Sequence, residues 1–254
     1  MKLAIHTVFI IKENIFFLEQ WIDYHIQVGF NKFYLYDNSK VMRSGGCHPK
    51  HSCFVAGKVN KYGIDYDRLI KEHGLEGNLD EKVSDILNKY KGIVEIIEWS
   101  PKNEDGVILH NQKEAHDNCL QLMKIDVIEW CANVDMDEYI VCNNIKEYIE
   151  SLDDDVGNIK MSQILFDSRF NNMDKKVIEI TKACHVDLDR NHSNKNIYKI
   201  KNTNKLTVHG WFGVGKEHIP ALSECCFNHY KLKELTKFRI IDNIPIHIKD
   251  VINK

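Results

Sequence analysis

The sequence of 254 residues is short of proline and contains no long hydrophobic run. No segment approaches the roughly 20 apolar residues that a membrane-spanning helix needs, so we expect no transmembrane segment. The four prolines form no proline-rich linker, and no repeat or low-complexity tract interrupts the chain. We therefore predict a single domain over residues 1–254, with residues 1–142 and 143–254 as its two halves.

The sequence also lacks an excess of charge of either sign. The formal net charge is −3, and acidic and basic residues are mixed along the chain. A protein that binds nucleic acid usually carries a basic face, so this composition predicts no nucleic-acid partner. A ligand that bears phosphate would need a local cation, either a metal ion or a few lysines.

The amino-terminal run from Met1 to Ile11 is apolar, but it is not typical of a signal peptide. It contains His6, it stops at Lys12, and it offers no cleavage site of small residues. We interpret it as a buried strand. The eight cysteines are then most simply reduced thiols, and we expect a cytoplasmic protein, with peripheral contact to a membrane left open.

The first 40 residues have the pattern of a β-α-β unit. Strand-like residues 3–11 precede a helix with Asn14 as candidate N-cap and Gly29 as candidate C-cap, and a second strand follows at 32–36. The apolar face of that helix consists of Leu18, Trp21, Ile22, His25 and Val28. A right-handed crossover would make the two strands parallel, with both carboxyl ends at one edge.

Strands and helices continue to alternate up to residue 142. We predict helices at 79–91 and 107–123 and strands at 94–99 and 127–134. This order favours an α/β fold with a mostly parallel central sheet and flanking helices.

The second half has a different pattern. A short helix at 145–152 precedes strand-like runs, and residues 232–241 form a final helical segment. The strand-like runs are Ile159–Phe166, Val177–Thr181, Ile197–Lys201, Leu206–Val208 and Cys225–Tyr230, and a further short strand is possible at Phe54–Val59.

Two aspartates one residue apart, Asp135 and Asp137, follow the strand at 127–134, and Glu138 comes directly after them. Carboxylates at the carboxyl end of a strand can hold Mg²⁺ or Mn²⁺ over a ligand crevice. The plainer interpretation is a solvated acidic turn, and Asp-x-Asp alone does not distinguish the two.

Several motifs taken together resemble a known family. They are Lys12-Glu13-Asn14, Glu19 to His25, Gly29-Phe30, Phe33 to Ser39, Gln112, Asn118-Cys119, Glu129-Trp130 and Asp135 to Val141. Their order is similar to that in GT-A-fold glycosyltransferases of the family-92-like and family-2-like group, including bacterial and viral relatives. The resemblance covers residues 5–142 and extends more thinly to residues 228–231.

The resemblance implies a GT-A-like fold and transfer of a sugar from a nucleotide sugar, with a UDP-sugar favoured, to a hydroxyl acceptor such as a glycan, with inversion. It also implies a Mn²⁺ or Mg²⁺ ion. Asp137 is the best candidate ligand of the metal ion. Asp135 is expected to contact the ribose, the ion or the water shell of the ion. A late histidine completes the metal shell in some such enzymes, which makes His229 the first choice and His209 the second. For either histidine, a structural role remains the alternative.

Further residues are candidates for donor binding. Asp37 is placed on the base or ribose, or it forms an Asx-turn. Lys12 and Lys231 are candidates for the phosphates, although Lys231 may equally be solvated. Gln112 and His116 lie one helical turn apart and face either the sugar or solvent.

An inverting transfer needs a carboxylate that deprotonates the acceptor hydroxyl. Asp167, after the strand at 159–166, is the candidate by chain order, with Asp187 and Asp189 as fallback choices. Cys119 is interpreted as a packing residue.

Two other classes of function remain open. A haloacid-dehalogenase-type phosphatase also places Asp-x-Asp after a strand. In that family, however, the motif usually follows the first strand of the fold, and Gly-Thr comes after the second aspartate. The segment from Cys47 to Cys53 contains four potential zinc ligands in seven residues and would suit a zinc-binding interaction module. An exposed loop with free thiols is the simpler interpretation of that segment.

Overall fold

The structure is a computed structural model that describes residues 1–43, 65–166, 183–187, 194–207 and 209–230; for residues 42, 43 and 183–187 it describes the backbone alone. The strands are β1 (Leu3–Phe9), β2 (Lys32–Asp37), β3 (Val94–Glu98), β4 (Trp130–Asn133), β5 (Glu138–Cys142), β6 (Val156–Met161), β7 (Gln163–Phe166), β8 (Ala183–Asp187), β9 (Lys195–Lys199), β10 (Thr203–Leu206), β11 (Trp211–Gly213), β12 (Lys216–His218) and β13 (Cys225–Tyr230). The helices are α1 (Ile11–Asn14), α2 (Leu18–Val28), α3 (Lys40–Arg43), α4 (Tyr66–Glu72), α5 (Leu79–Asn88), α6 (Gln112–Ile125) and α7 (Ile145–Glu150).

The predicted β-α-β unit is present, with β1 and β2 parallel. Gly29 ends α2 at a φ of 119°, which confirms the predicted C-cap, because a left-handed backbone conformation favours glycine. The predicted N-cap is wrong. Asn14 lies inside α1, where its side chain donates to the carbonyl of Ile10, and α2 begins only after Phe17.

The central sheet has the strand order β12-β6-β9-β4-β1-β2-β3. The strands from β4 to β3 are parallel neighbours, whereas β9 runs antiparallel to both β4 and β6. The mostly parallel sheet with flanking helices confirms the predicted α/β class. Since β1 lies in the middle of the sheet, all seven of its residues are buried, as is typical of a strand covered on both faces.

Each face of the sheet packs against its own helices. Leu3, Ile5 and Phe33 face the larger core, to which α2 contributes Trp21. The alternate residues of the same strands face a second core, which α6 covers with buried side chains. Those α6 residues are Ala115, Cys119, Leu120 and Met123, so the interpretation of Cys119 as a packing residue is confirmed.

A second sheet, with the order β5-β13-β7-β8, carries the segments next to the Asp-x-Asp turn. The sequence predicts one strand over Ile159–Phe166, but the chain changes sheet at Ser162. As a result, β6 pairs in the central sheet and β7 pairs with β13. This change places Gln163 in the second sheet, close to the acidic turn.

Most other predicted elements are confirmed with shifted ends, including α5, α6, α7, β3 and β9. Val177–Thr181, residues 232–241, the possible strand at Phe54–Val59 and the segment from Cys47 to Cys53 lie outside the described residues. Among the helices that are described, none combines the length and apolarity needed to span a bilayer.

Candidate active site

The Asp-x-Asp turn joins β4 in the central sheet to β5 in the second sheet. Its apolar side chains, Val134 and Met136, are buried in the larger core. The side chains between them, Asp135 and Asp137, are half-buried. Alternation along the turn therefore places both aspartates on the side that faces away from the core.

Glu138 fixes the conformation of this turn. Its Oε2 accepts a hydrogen bond from the backbone N–H of Asp135 at 2.9 Å, and its own N–H donates to the Asp135 carbonyl at 3.0 Å. The side chain is buried, and burial raises the pKa of Glu138 in spite of the nearby ammonium of Lys195. Glu138 thus orients its neighbours from within the core.

Helix α2 supports β5 from the open edge of the second sheet. Trp21 Nε1 donates to the Glu138 carbonyl at 2.9 Å, and the hydroxyl of Tyr24 donates to the Ile140 carbonyl at 2.8 Å. His25 Nε2 accepts from the Ile140 N–H at 3.3 Å, while its Nδ1 lies 2.8 Å from the Trp21 carbonyl. These polar side chains satisfy an edge strand whose backbone groups would otherwise be buried without partners.

The geometry at His25 requires a neutral ring, because Nε2 must accept a hydrogen bond from a backbone N–H. Burial lowers the pKa of His25 to about 3, partly offset by the hydrogen bond to Trp21, so the ring is neutral at physiological pH. The motif from Glu19 to His25 therefore anchors the strand that follows the two aspartates.

Strand register brings His229 to the turn. His229 pairs with Glu138 across β13 and β5, and Tyr230 N–H donates to the carbonyl of Asp137 at 2.8 Å. His229 Nε2 lies 3.2 Å from Asp137 Oδ2, and its Nδ1 lies 2.7 Å from Oε1 of Gln163. The structure thus brings together two of the predicted site residues, Asp137 and His229.

The pair fits a divalent cation. When Nδ1 donates to Gln163, the Nε2 of a neutral imidazole presents its lone pair towards the carboxylate of Asp137. Two neighbouring ligands of an ion with bonds of about 2.1 Å lie about 3 Å apart, close to the separation of these two atoms. Within the described part of the chain, no three His, Cys, Asp or Glu side chains converge on one point. Two protein ligands suffice for an ion that takes its others from water and phosphates.

Asp135 has a different partner. Its Oδ2 accepts from Lys195 Nζ at 2.8 Å, and the same ammonium lies 3.0 Å from Oε2 of Glu138. Burial is the largest effect and would raise the pKa of Asp135, but the charge and the hydrogen bond of Lys195, together with His229, lower that pKa. Burial opposes the charge on Lys195, yet the two carboxylates together raise its pKa above the ordinary value.

Asp37 lies at the carboxyl end of β2. Its Oδ1 accepts from the Ser39 backbone N–H at 2.9 Å and from the Ser39 hydroxyl, which is an Asx-turn. Ser39 Oγ in turn accepts from the Ile11 N–H at 2.8 Å, so this turn also holds the start of α1. The Asx-turn leaves Oδ2 of Asp37 as a further acceptor. The predicted contact between Asp37 and a nucleoside therefore stays a prediction that the Asx-turn does not exclude.

A cavity of about 530 Å³ opens beside Asp37. Ile11, Asp37 and Ser39 line it from the sheet edge, and Val83 and Leu87 line it from α5. The volume lies within the range of small-molecule sites, and the mixture of apolar walls with a few polar groups is also typical of them.

The segment before α6 is held at the same edge. Asn38 donates to the carbonyls of Trp99 at 2.7 Å and Leu109 at 3.2 Å, and its Oδ1 lies 3.0 Å from His110 Nδ1. Gln112 begins α6 there and is half-buried.

His116 is buried and does not lie on a polar surface face. Its ring centroid lies 4.8 Å from that of His6, and the ring nitrogens of both have no hydrogen-bond partner among the described residues. Burial lowers the pKa of His116 to about 4. The ring of His116 is therefore neutral at physiological pH and packs against the sheet. Gln112, in contrast, is half-buried at the edge of the sheet.

Other predicted residues have different partners or lie outside the described residues. Lys12 forms an ion pair with Asp67 at 2.6 Å and is half-buried. His209 is exposed and its Nδ1 lies 3.3 Å from the Asn194 carbonyl. Asp167, Lys231 and Asp189 lie outside the described residues, and Asp187 is described by its backbone alone.

Comparison with protein families identifies the class of this protein. The model of glycosyltransferase family 92 matches residues 76–250, which is more than half of the chain. The chain belongs to glycosyltransferase family 92. It is therefore an enzyme that transfers a sugar from a donor to an acceptor. The matched segment contains the Asp-x-Asp turn and β13, and it begins after the β-α-β unit.

Solved structures give distant likenesses. HddC from Yersinia pseudotuberculosis is 14% identical with a TM-score of 0.43, over 90% of this chain and 93% of that one. Residues 1–349 of TarS from S. aureus are 12% identical with a TM-score of 0.42, over 90% of this chain and 60% of that one. A putative glucose-1-phosphate thymidylyltransferase from Bacillus anthracis in complex with a sucrose is 8% identical with a TM-score of 0.31, over 79% of this chain and 72% of that one. No curated protein gives a significant match.

Sequence reasoning missed two residues that lie next to the Asp-x-Asp turn and His229, namely Lys195 and Gln163. Both are the first residues of strands in the second half, and nothing in their local pattern distinguishes them from solvated residues at strand ends. They reach the turn through strand pairing across the two sheets, which a single sequence does not specify.

Proposed function

We propose that this family-92 enzyme is a metal-dependent transferase that uses a nucleoside diphosphate sugar and transfers the sugar to a hydroxyl acceptor with inversion. The observation that carries the proposal is the pairing of Asp137 with His229, whose ligand atoms lie 3.2 Å apart in a partly buried carboxylate cluster. The carboxylate suits both Mn²⁺ and Mg²⁺, whereas the imidazole suits Mn²⁺ better than Mg²⁺, which prefers oxygen ligands.

Asp137 and His229 would hold the ion, and Gln163 orients the imidazole so that Nε2 faces the site. The ion would supply positive charge against the diphosphate leaving group. Asp135 remains a candidate for the ribose or the water shell of the ion. Three carboxylates, those of Asp135, Asp137 and Glu138, stand against one ammonium here, and such a cluster attracts a cation.

The donor nucleotide would occupy the carboxyl edge of the parallel strands. Asp37 and the cavity beside it are the proposed site for the base and ribose, and Gln112 is proposed to face the sugar. Lys12 and Lys231 stay candidates for the diphosphate. The second half of the chain would bind the acceptor, and Asp167 is proposed as the base that deprotonates its hydroxyl.

A transfer assay tests this proposal. Purified protein is incubated with UDP-, GDP- and dTDP-sugars, with Mn²⁺, with Mg²⁺ or with EDTA, and release of nucleoside diphosphate is measured. We expect release from one class of donor, with a UDP-sugar favoured, and loss of release in EDTA that added metal restores. Equal release in EDTA and in Mn²⁺ would overturn the proposed metal dependence. Release of inorganic phosphate from simple phosphoesters would instead favour phosphatase chemistry.

A further inference from the structure

Lys195 is a buried lysine that contacts the Asp-x-Asp turn at two points. Its Nζ lies 2.8 Å from Asp135 Oδ2 and 3.0 Å from Glu138 Oε2, and its side chain is 2% exposed. Lysine is rarely buried to this extent unless its charge is paired. It reaches the turn from β9 in the central sheet, whereas the turn leads into the second sheet.

The two aspartates are consequently held by different groups. Asp135 is fixed at its side chain by Lys195 and at its backbone N–H by Glu138. Asp137 lies beside the imidazole of His229 instead. An ammonium that donates to a carboxylate oxygen competes for its lone pairs and adds positive charge next to it. Both effects oppose binding of a cation by that carboxylate.

We propose that Lys195 is a positioning residue that keeps Asp135 out of the ligand shell of the cation, so that Asp137 and His229 bind it. This inference rests on the proposed function, because it concerns the same ion. It assigns Asp135 to the ion pair and limits its part in metal binding to an indirect one.

The proposal predicts shifts of opposite sign for the two partners of the ion pair. Lys195→Met removes a positive charge and frees Asp135, so Mn²⁺ should bind about 10-fold more tightly. Asp135→Asn leaves the ammonium incompletely neutralised, so Mn²⁺ should bind about 10-fold more weakly. A lysine that served only the fold would, when removed, loosen the turn and weaken Mn²⁺ binding.

The decisive variant is the double substitution Lys195→Met/Asp135→Asn. Because it removes both partners of one ion pair, Mn²⁺ affinity should return to within about 3-fold of wild type. Isothermal titration of Mn²⁺ alone into wild-type protein, both single variants and the double variant measures the cycle. Lys199→Met is the matched control, since Lys199 lies on the same strand and donates to the Asp154 carbonyl. If Lys195→Met does not fold, Asp135→Asn and the double variant still form the comparison.

A double variant that binds Mn²⁺ at least about 10-fold more weakly than wild type would overturn the proposal, because Asp135 would then bind the ion directly. Weaker binding by folded Lys195→Met would overturn it as well. Wild-type protein that binds no Mn²⁺ at all would overturn the proposed metal dependence, and the role of Lys195 with it. Failure of the two proposals is therefore distinguishable.

Discussion

The corner at Asp37 and the corner at Asp137 both consist of acidic residues at strand ends, but their surroundings differ. Asp37 is satisfied by Ser39, two residues along the chain, in a turn that many proteins form. Asp137 lies among ionisable groups from separate strands, with His229, Glu138 and Lys195 drawn from β13, β5 and β9. The first arrangement is local, whereas the second requires the whole fold.

This difference supports the proposal that the chemistry is centred on Asp137. Burial of charge is costly, so a cluster of half-buried and buried carboxylates persists only where other groups compensate it. At the Asp137 corner, the single ammonium of Lys195 faces three carboxylates. The negative charge that it leaves uncompensated suits a cation. At the Asp37 corner, the hydrogen bonds that Ser39 donates satisfy one oxygen of the carboxylate, and a cavity of about 530 Å³ lies beside it.

The largest expected effect separates the two corners directly. Asp137→Asn keeps the shape of the side chain but removes its charge, so we expect a loss of at least about 100-fold in kcat/KM, equivalent to about 2.7 kcal/mol. Steady-state kinetics measures it, with Mn²⁺ at a concentration that saturates the wild-type protein. Asp154→Asn, an exposed aspartate after α7, is the matched control and should retain wild-type activity. Activity of Asp137→Asn within 3-fold of the control would contradict the assignment.

A substitution of Gln163 tests whether its hydrogen bond to Nδ1 orients the imidazole of His229. Gln163→Leu removes the acceptor for Nδ1, and loss of such a partner typically costs 10- to 100-fold in metal affinity. Titration of Mn²⁺ into the variant measures the change, with Gln121→Leu on the exposed face of α6 as control. Unchanged affinity in Gln163→Leu would mean that His229 does not depend on this hydrogen bond.

The support of β5 by α2 predicts a pH dependence of stability. The pKa of His25 is about 3 in the folded protein and 6.5 in its ordinary state, so the unfolded chain takes up more protons as the pH falls. The contribution of neutral His25 is full above about pH 6.5 and is lost progressively towards pH 3. Between pH 7.5 and 5, it accounts for a loss of about 2 kcal/mol.

Urea unfolding of wild-type and His25→Gln protein at the two pH values measures this contribution. The variant should be less stable at pH 7.5 but should lose about 2 kcal/mol less than wild type on acidification. His73→Gln, an exposed position after α4, should retain the wild-type pH dependence. Equal losses in His25→Gln and wild type would show that His25 does not carry the effect.

The smallest expected effect belongs to the Asp37 corner. Asp37→Ala removes one hydrogen-bonding group from the proposed nucleoside site, so we expect KM for the donor to rise about 10-fold, equivalent to about 1.4 kcal/mol, with kcat nearly unchanged. Asp85→Ala on the exposed side of α5 serves as control. A fall in kcat as large as that of Asp137→Asn would remove the distinction between the two corners.

The parts of the fold that depend on local pattern could be predicted from the sequence. The spacing of Leu18, Trp21 and Val28 predicts α2, and Gly29 marks its end. The apolar run before Asp135 predicts β4, although the strand itself is shorter and ends at Asn133. Such signals lie within one helix or strand, where side-chain period and backbone conformation determine the outcome.

The rest depends on contacts between distant segments. Nothing local places Lys195 beside Asp135, because that contact follows from pairing of β9 with β4 and from the path of the turn. Nor does the pattern over 156–166 show that the chain changes sheet at Ser162, since apolar residues continue on both sides of it. Hence the aspartates could be recognised from the sequence, but the lysine that separates their roles could not.

The central claim is that Asp137 and His229 bind one divalent cation together. Pulsed EPR of Mn²⁺ bound to the wild-type protein tests it most directly, because a coordinated imidazole nitrogen couples to the electron spin of the ion. We predict a directly bound nitrogen in wild type, loss of that coupling in His229→Gln, and loss of Mn²⁺ binding in Asp137→Asn. Bound Mn²⁺ without nitrogen coupling, or coupling that persists in His229→Gln, would contradict the claim.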